Sequence, residues 1–143
     1  MLHIINSITD SFIEFIKDDP VRPEIPSEFR VSQNRYIAAL IENNKPSSMV
    51  CISLHDFIPE SVEDLFRTSS EPTTAVFYTI WSYAPGSAAC LLRACLEDIT
   101  NRYNLINTFV TLSPKTEMAR KFHLKNGAVI FRENLDSVNY RYK

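Results

Sequence analysis

Thr73-Thr74-Ala75-Val76-Phe77-Tyr78-Thr79-Ile80-Trp81-Ser82-Tyr83, followed directly by Ala84-Pro85-Gly86-Ser87-Ala88-Ala89, decides how this chain folds. The first part is almost entirely β-branched or aromatic, the composition of a strand buried on both faces in the middle of a sheet. Beyond the turn, Ala88, Leu91, Leu92, Cys95, Leu96, Ile99 and Tyr103 recur at the spacing of one face of a long helix. The first N–H groups of such a helix have no partner within it, and its aligned peptide dipoles place about half a positive charge there. Gly86, Ser87, Ala88 and Ala89 set nothing larger than a hydroxymethyl group over those donors, so a phosphate can approach them. Pro85 removes one donor and stiffens the turn. A plain strand-to-helix connection with a close-packed helix start accounts for the same residues.

Downstream, Thr108 to Leu112 forms a further strand. Ser113-Pro114 supplies an N-cap and a first-turn proline for a helix with Met118, Ala119 and Phe122 facing inward, and Gly127 stands where a left-handed C-cap belongs. Ala128 to Arg132 and Val138 to Tyr142 alternate as two last strands. Upstream, Leu2 to Ser7 is a short strand, and Ile8, Phe12, Phe15 and Ile16 share a helical face. Pro20, Pro23 and Pro26 restrict Asp18 to Ser32 to a loop or one short turn. Arg35 to Glu42 and Ser48 to His55 are strands joined through Asn43-Asn44-Lys45-Pro46-Ser47, and Ser61-Val62-Glu63-Asp64 opens a short helix. The order predicts a mixed α/β fold on one mainly antiparallel sheet.

A length of 143 residues suits one domain, residues 1–143. A net charge of −2 supplies no bulk attraction for nucleic acid or anionic lipid, so neither is expected as a partner. No apolar run approaches the ~18 residues that span a bilayer, and Met1-Leu2-His3-Ile4-Ile5-Asn6 does not read as a secretory leader, which places the chain in the cytoplasm. The three cysteines lack ligand or redox spacing, and Cys90 and Cys95 read as small core residues; the dispersed histidines and cysteines support no metal site. Gly86 and Gly127 are the only glycines, which marks both as backbone constraints.

Both glycines fall on a family pattern. Ala119, Phe122, His123 and Gly127 match the segment of the GCN5-related N-acetyltransferases (GNAT) in which a small residue precedes an aromatic pair and then a glycine. Tyr83-Ala84-Pro85-Gly86-Ser87-Ala88 is similar to the family's phosphate motif, with Tyr83 where Arg or Gln is usual. The element order resembles the family layout over nearly the whole length, with a weak second helix and an insertion at Ser61 to Arg67. The resemblance implies a GNAT-like sheet whose fourth and fifth strands splay to admit acetyl-CoA as co-substrate. The pantetheine amide would pair with backbone near Ile80, Trp81 and Ser82, and the pyrophosphate would lie on Tyr83, Ala84, Gly86, Ser87, Ala88 and Ala89. Ser113, Thr116, Ala119 and Phe122 would complete the coenzyme site. The implied reaction is acetyl transfer to a primary amine, on a small molecule or a protein, by direct attack in a ternary complex. A homodimer remains open.

His123 stands where many members carry the tyrosine that protonates the departing thiolate, and an imidazole near pKa 6.5, favoured as the cation in a helix's last turn, can do the same. Equally, it helps close that helix. Lys115, Arg120, Lys121 and Lys125 form a basic side for the coenzyme 3′-phosphate, or simply a solvated face. Glu42, His55 and Asp56 end strands near the expected acceptor side, yet none is assigned as base. Asp18, Asp19, Glu24 and Glu28 could draw a cationic amine, and Tyr78 and Trp81 either line its pocket or pack in the core. The competing class is a non-catalytic module that binds CoA as a sensor or protein-interaction domain, which the departures at Tyr83 and Pro85 favour.

Overall fold

The computed structural model describes all 143 residues. Seven strands form one sheet: β1 (Leu2–Ile5), β2 (Arg35–Glu42), β3 (Lys45–His55), β4 (Thr74–Ser82), β5 (Thr108–Thr111), β6 (Val129–Glu133) and β7 (Val138–Tyr142). Their order is β1-β2-β3-β4-β5-β7-β6, which puts the strand rich in β-branched and aromatic residues at the centre, as its composition predicts. Only β4 and β5 run parallel, linked by the helix α3 (Ser87–Arg102). The remaining helices are a 3₁₀ segment (Ile13–Asp18), α1 (Ser27–Arg30), α2 (Val62–Leu65) and α4 (Glu117–Lys125). None is long and apolar enough to cross a membrane.

Several local expectations need correcting. The β2–β3 connection is two residues, not five: Asn43 and Asn44 both adopt positive φ (53° and 65°), the geometry of a type I′ turn that matches strand twist. Pro46 lies inside β3 beside a bulge at Ser47, a place where its missing N–H does no harm. The α4 N-cap is Thr116, whose hydroxyl accepts the Ala119 N–H, rather than Ser113. Ser113 instead exchanges two 2.9 Å backbone bonds with Val138, so sheet pairing continues past β5 and delays the helix. Met118 consequently points to solvent, 83% exposed. Cys90 also lies outside, while Cys51 and Cys95 are buried. Gly127 behaves as expected: with φ +97° it lets its own N–H reach Leu124 C=O and that of Ala128 reach His123 C=O, a Schellman closure.

The sheet carries two cores. Leu91, Leu92, Cys95 and Ile99 of α3 pack on Ala38, Val50, Ile52, Ala75 and Phe77 on one face. Ile16, Ile25 and Leu65 from the chain's crossing segments cover Ile37, Met49, Cys51, Val76 and Tyr78 on the other. The proline-rich stretch is held there by a fully buried ion pair, Arg30 Nη1 to Asp19 Oδ2 at 2.6 Å. Arg30 also donates to the carbonyls of Arg22 and Ile25, while Asp19 accepts the Thr79 hydroxyl at 2.7 Å and two backbone N–H groups. Asp19 is thus spent on tying the loop to β4, and its charge is not on offer to an amine. Removing one partner of such a pair strands the other charge in the core, at a cost of about 3–5 kcal/mol. Asp19→Ala is therefore expected to lower the unfolding free energy by about that amount in urea titrations; a loss under ~1 kcal/mol contradicts it.

Candidate functional site

β4 and β5 pair from Thr74 opposite Thr108 to Phe77 opposite Thr111, and the last bond between them on the Ser82 side runs from Leu112 N–H to Phe77 C=O at 3.0 Å. On its other edge β4 stays with β3 to Ser82, but Tyr78 is an extra residue there: Cys51 faces Thr79 and Ile52 faces Phe77. This bulge reverses which residues aim their backbone at which neighbour. Tyr83 donates its N–H to Ser47 C=O on the β3 side, so by strand alternation the peptide groups of Ile80 and Ser82 face the side that β5 has left.

That gap is a cleft of about 550 Å³. Ile80, Trp81 and Ser82 line one wall, Gly86, Ala88 and Ala89 the α3 end, and Ser113, Thr116, Ala119, Phe122 and His123 the far side. The sequence placed all of these in one site. Three other expected contacts, Tyr83, Ala84 and Ser87, are not in its lining. Ser87 turns its hydroxyl inward instead, 2.7 Å from each of Ser47 Oγ and Ser48 Oγ, and this buried hydroxyl cluster ties the start of α3 to β3. Tyr83 reaches the opposite way, its hydroxyl donating to Asp18 at 2.8 Å and accepting the Trp81 indole N–H.

At the α3 end, Gly86 has φ +79°, a conformation that a side chain resists. Ser87 N–H is taken by Ala84 C=O and Cys90 N–H by Gly86 C=O, which leaves the Ala88 and Ala89 N–H groups without backbone partners. Two donors at the positive end of a helix of 16 residues, bordered by methyl groups, form an anion-accepting corner of the cleft.

His123 is buried between Phe122 and Tyr140, stacked on the latter at 5.0 Å, and its Nδ1 lies 2.6 Å from the Tyr142 hydroxyl. Here the expected cation is overturned. Burial without any charged partner drives its pKa down to about 4, outweighing the helix dipole. His55 is likewise held near 4, by burial first and Arg35 second, and lies away from the cleft with its ring on Ser53. Glu42 ends the β2–β3 hairpin and Asp56 bonds Ser69, so none of the three considered bases lines the cleft, nor does any other carboxylate. Trp81 and Tyr78 are both core and lining residues. Lys125 borders the cleft, whereas Lys115, Arg120 and Lys121 do not. Pro20, Val21 and Thr79 complete one end, and no spacing in the sequence marks them.

A seven-stranded sheet parted after its fourth strand, with a helix start and a glycine-closed helix facing the gap, is the GNAT fold, and solved structures bear this out. Malonyl-CoA decarboxylase from Agrobacterium vitis is 25% identical, matching 85% of this chain and 35% of its own at a TM-score of 0.72. Tetrahymena GCN5 is 10% identical over 99% of this chain and 94% of its own, with a TM-score of 0.68. Arabidopsis thaliana NAA60 in complex with acetyl-CoA is 15% identical over 99% and 97%, with a TM-score of 0.66. The chain spans 35–60% of the length of the decarboxylases it matches. No family model and no curated protein matches the sequence.

Both buried histidines, with pKa values lowered to about 4, make stability depend on pH. Each ring is neutral when folded and takes up a proton more readily once unfolded, so their stabilisation is complete above pH 6.5 and is lost as pH falls from about 6.5 towards 4. Proton resonance titration is expected to give midpoints below 5 for both; a midpoint above 6 for His123 contradicts the burial account.

Proposed function

We propose that the cleft binds acetyl-CoA and that residues 1–143 act as a single-domain N-acyltransferase, moving the acetyl group to a primary amine. The observation that carries this reading is the coincidence, in one cleft, of a free strand edge at Ile80 and Ser82 with unpartnered helix N–H groups at Ala88 and Ala89. A pantetheine arm is a chain of amides that extends a sheet by a pseudo-strand, and the pyrophosphate that follows it needs donors at that arm's end. NAA60, solved with acetyl-CoA, supports the same reading. Attack would be direct: the lone pair of a neutral amine forms the C–N bond, the C–S pair leaves on sulfur, and the amine's surplus proton passes to the thiolate or to water. The absence of a lining carboxylate suits an acceptor that arrives already neutral.

The likeness to malonyl-CoA decarboxylases favours a second reading, in which the same cleft holds a malonyl thioester: its carboxylate leaves as carbon dioxide, the C–C electron pair passes into the thioester enolate, and a proton from water gives the acetyl thioester. Both reactions share the coenzyme site and differ in the product. Acetyl-CoA at a hundredfold excess over Kd adds ~2.7 kcal/mol to the native state, so the melting temperature is expected to rise by several degrees. Free thiol from acetyl-CoA with an amine panel supports transfer; acetyl-CoA formed from malonyl-CoA without an amine supports the second reading. A shift in melting temperature with no product from either substrate supports the non-catalytic module, and no shift removes all three.

Gly86→Val is expected to weaken acetyl-CoA binding at least tenfold. Chain neighbours aside, no protein atom lies within 4 Å of a Cβ placed there, so the effect comes from the positive φ, which a β-branched residue resists and which shapes the start of α3. A folded variant that binds as tightly as wild type, by calorimetry, would place the anion elsewhere.

A further inference from the structure

His123 keeps one ring nitrogen unaccounted for within the protein. Nδ1 is engaged by Tyr142 at 2.6 Å, whereas Nε2 has no protein partner. It is nevertheless not sealed in the core as His55 Nδ1 is, and the residue lines the cleft. The Tyr142 hydroxyl, for its part, has a single neighbour: among the hydrogen bonds of the fold it meets only His123. Tyr142 is 4% exposed, so a hydroxyl hydrogen not given to Nδ1 would be buried without an acceptor. A neutral imidazole accepting at Nδ1 must carry its hydrogen on Nε2.

We propose that Tyr142 is a positioning residue that donates to His123 Nδ1 and so presents the ring's Nε2–H to the cleft, as a fixed hydrogen-bond donor to the thioester. This rests on the coenzyme-thioester reading given above and changes the part assigned to His123. The ring is not a cation that hands over a proton, because no charged group faces it: Phe122 lies against it from its own helix, Tyr140 stacks on it and Tyr142 bonds it from β7, and it belongs to no ion pair. It stays neutral throughout. As the C–S bond breaks and the electron pair moves to sulfur, or collects on the carbonyl oxygen, Nε2–H meets the growing negative charge without changing its own protonation state. The proton that balances the reaction comes from the attacking amine.

Long-range proton–nitrogen correlation on protein labelled with ¹⁵N-histidine reads the tautomer directly. At pH 7 His123 is expected to carry hydrogen on Nε2, with a bare Nδ1. In Tyr142→Phe the preference for Nε2–H is expected to weaken, and turnover to fall about tenfold, less than the 10² to 10³ for loss of a direct donor, while acetyl-CoA affinity changes less than twofold. Tyr140→Phe keeps the stacked ring and removes the neighbouring hydroxyl, so it is expected to leave both readings alone. Hydrogen on Nδ1 in the wild type overturns the proposal, as does a Tyr142→Phe protein with an unchanged tautomer. Because the tautomer is read without substrate, failure of every acyl transfer assay would remove the proposed reaction and still leave this assignment decided by the spectrum.

Discussion

The site depends on the parting of β4 from β5. A central strand ordinarily spends both rows of its backbone groups on neighbours, and an unpaired row in the core costs what a lost hydrogen bond costs. Here pairing with β5 stops at Phe77, while pairing with β3 continues to Ser82. The bulge at Tyr78 makes both possible at once, since it turns the strand and redirects its later peptide groups into the gap. What would be a defect in a closed sheet leaves a free row of backbone donors and acceptors along the cleft. The buried Asp19–Arg30 pair supports the same stretch, because Asp19 also receives the Thr79 hydroxyl one residue past the bulge.

The rest of the cleft follows from that opening. The turn after β4 brings Gly86 and the start of α3 to its end, and the Ser47, Ser48 and Ser87 hydroxyls fasten that start to β3. With the Ser87 side chain turned inward, only methyl groups stand beside the free Ala88 and Ala89 amides. Across the gap, α4 carries His123 onto the aromatic rings of β7, where burial keeps the imidazole neutral. One wall is therefore built of backbone donors and acceptors, and the other of a ring whose charge state is controlled by its packing.

Much of this was legible in the sequence because it rests on local signals. The dense run from Thr73 to Tyr83 announces the central strand, Gly127 a left-handed C-cap, and Gly86 a backbone constraint that the structure resolves as a positive φ. The wall residues Ile80 to Ser82, Ala88, Ala89, Ala119, Phe122 and His123 are those that the resemblance to the GNAT family implies, and all of them border the cleft. What escaped depends on contacts between distant parts of the chain. Ser113 has the chemistry of an N-cap, but its pairing with Val138 sets the helix back to Thr116. Asp19 looked like one acid among four in a loop until Arg30 and Thr79 closed around it. His123 reads as protonated from its place in a helix, whereas burial keeps it neutral, in a pocket closed by Tyr140 and Tyr142, residues with no motif and seventeen or more positions away. Ser87 reads as a small residue over the helix start, but its hydroxyl is bonded to Ser47 and Ser48 and the residue does not line the cleft.

The central claim is that a coenzyme A thioester lies along the free edge of β4 with its pyrophosphate on α3. Backbone amide mapping by NMR, with acetyl-CoA titrated into the labelled protein, tests it most directly. The account predicts that the amides of Ile80, Ser82, Ala88 and Ala89 shift and become protected from exchange, while those of β1 stay unmoved. Saturable binding that leaves these four amides unchanged, or no binding at millimolar acetyl-CoA, would contradict it.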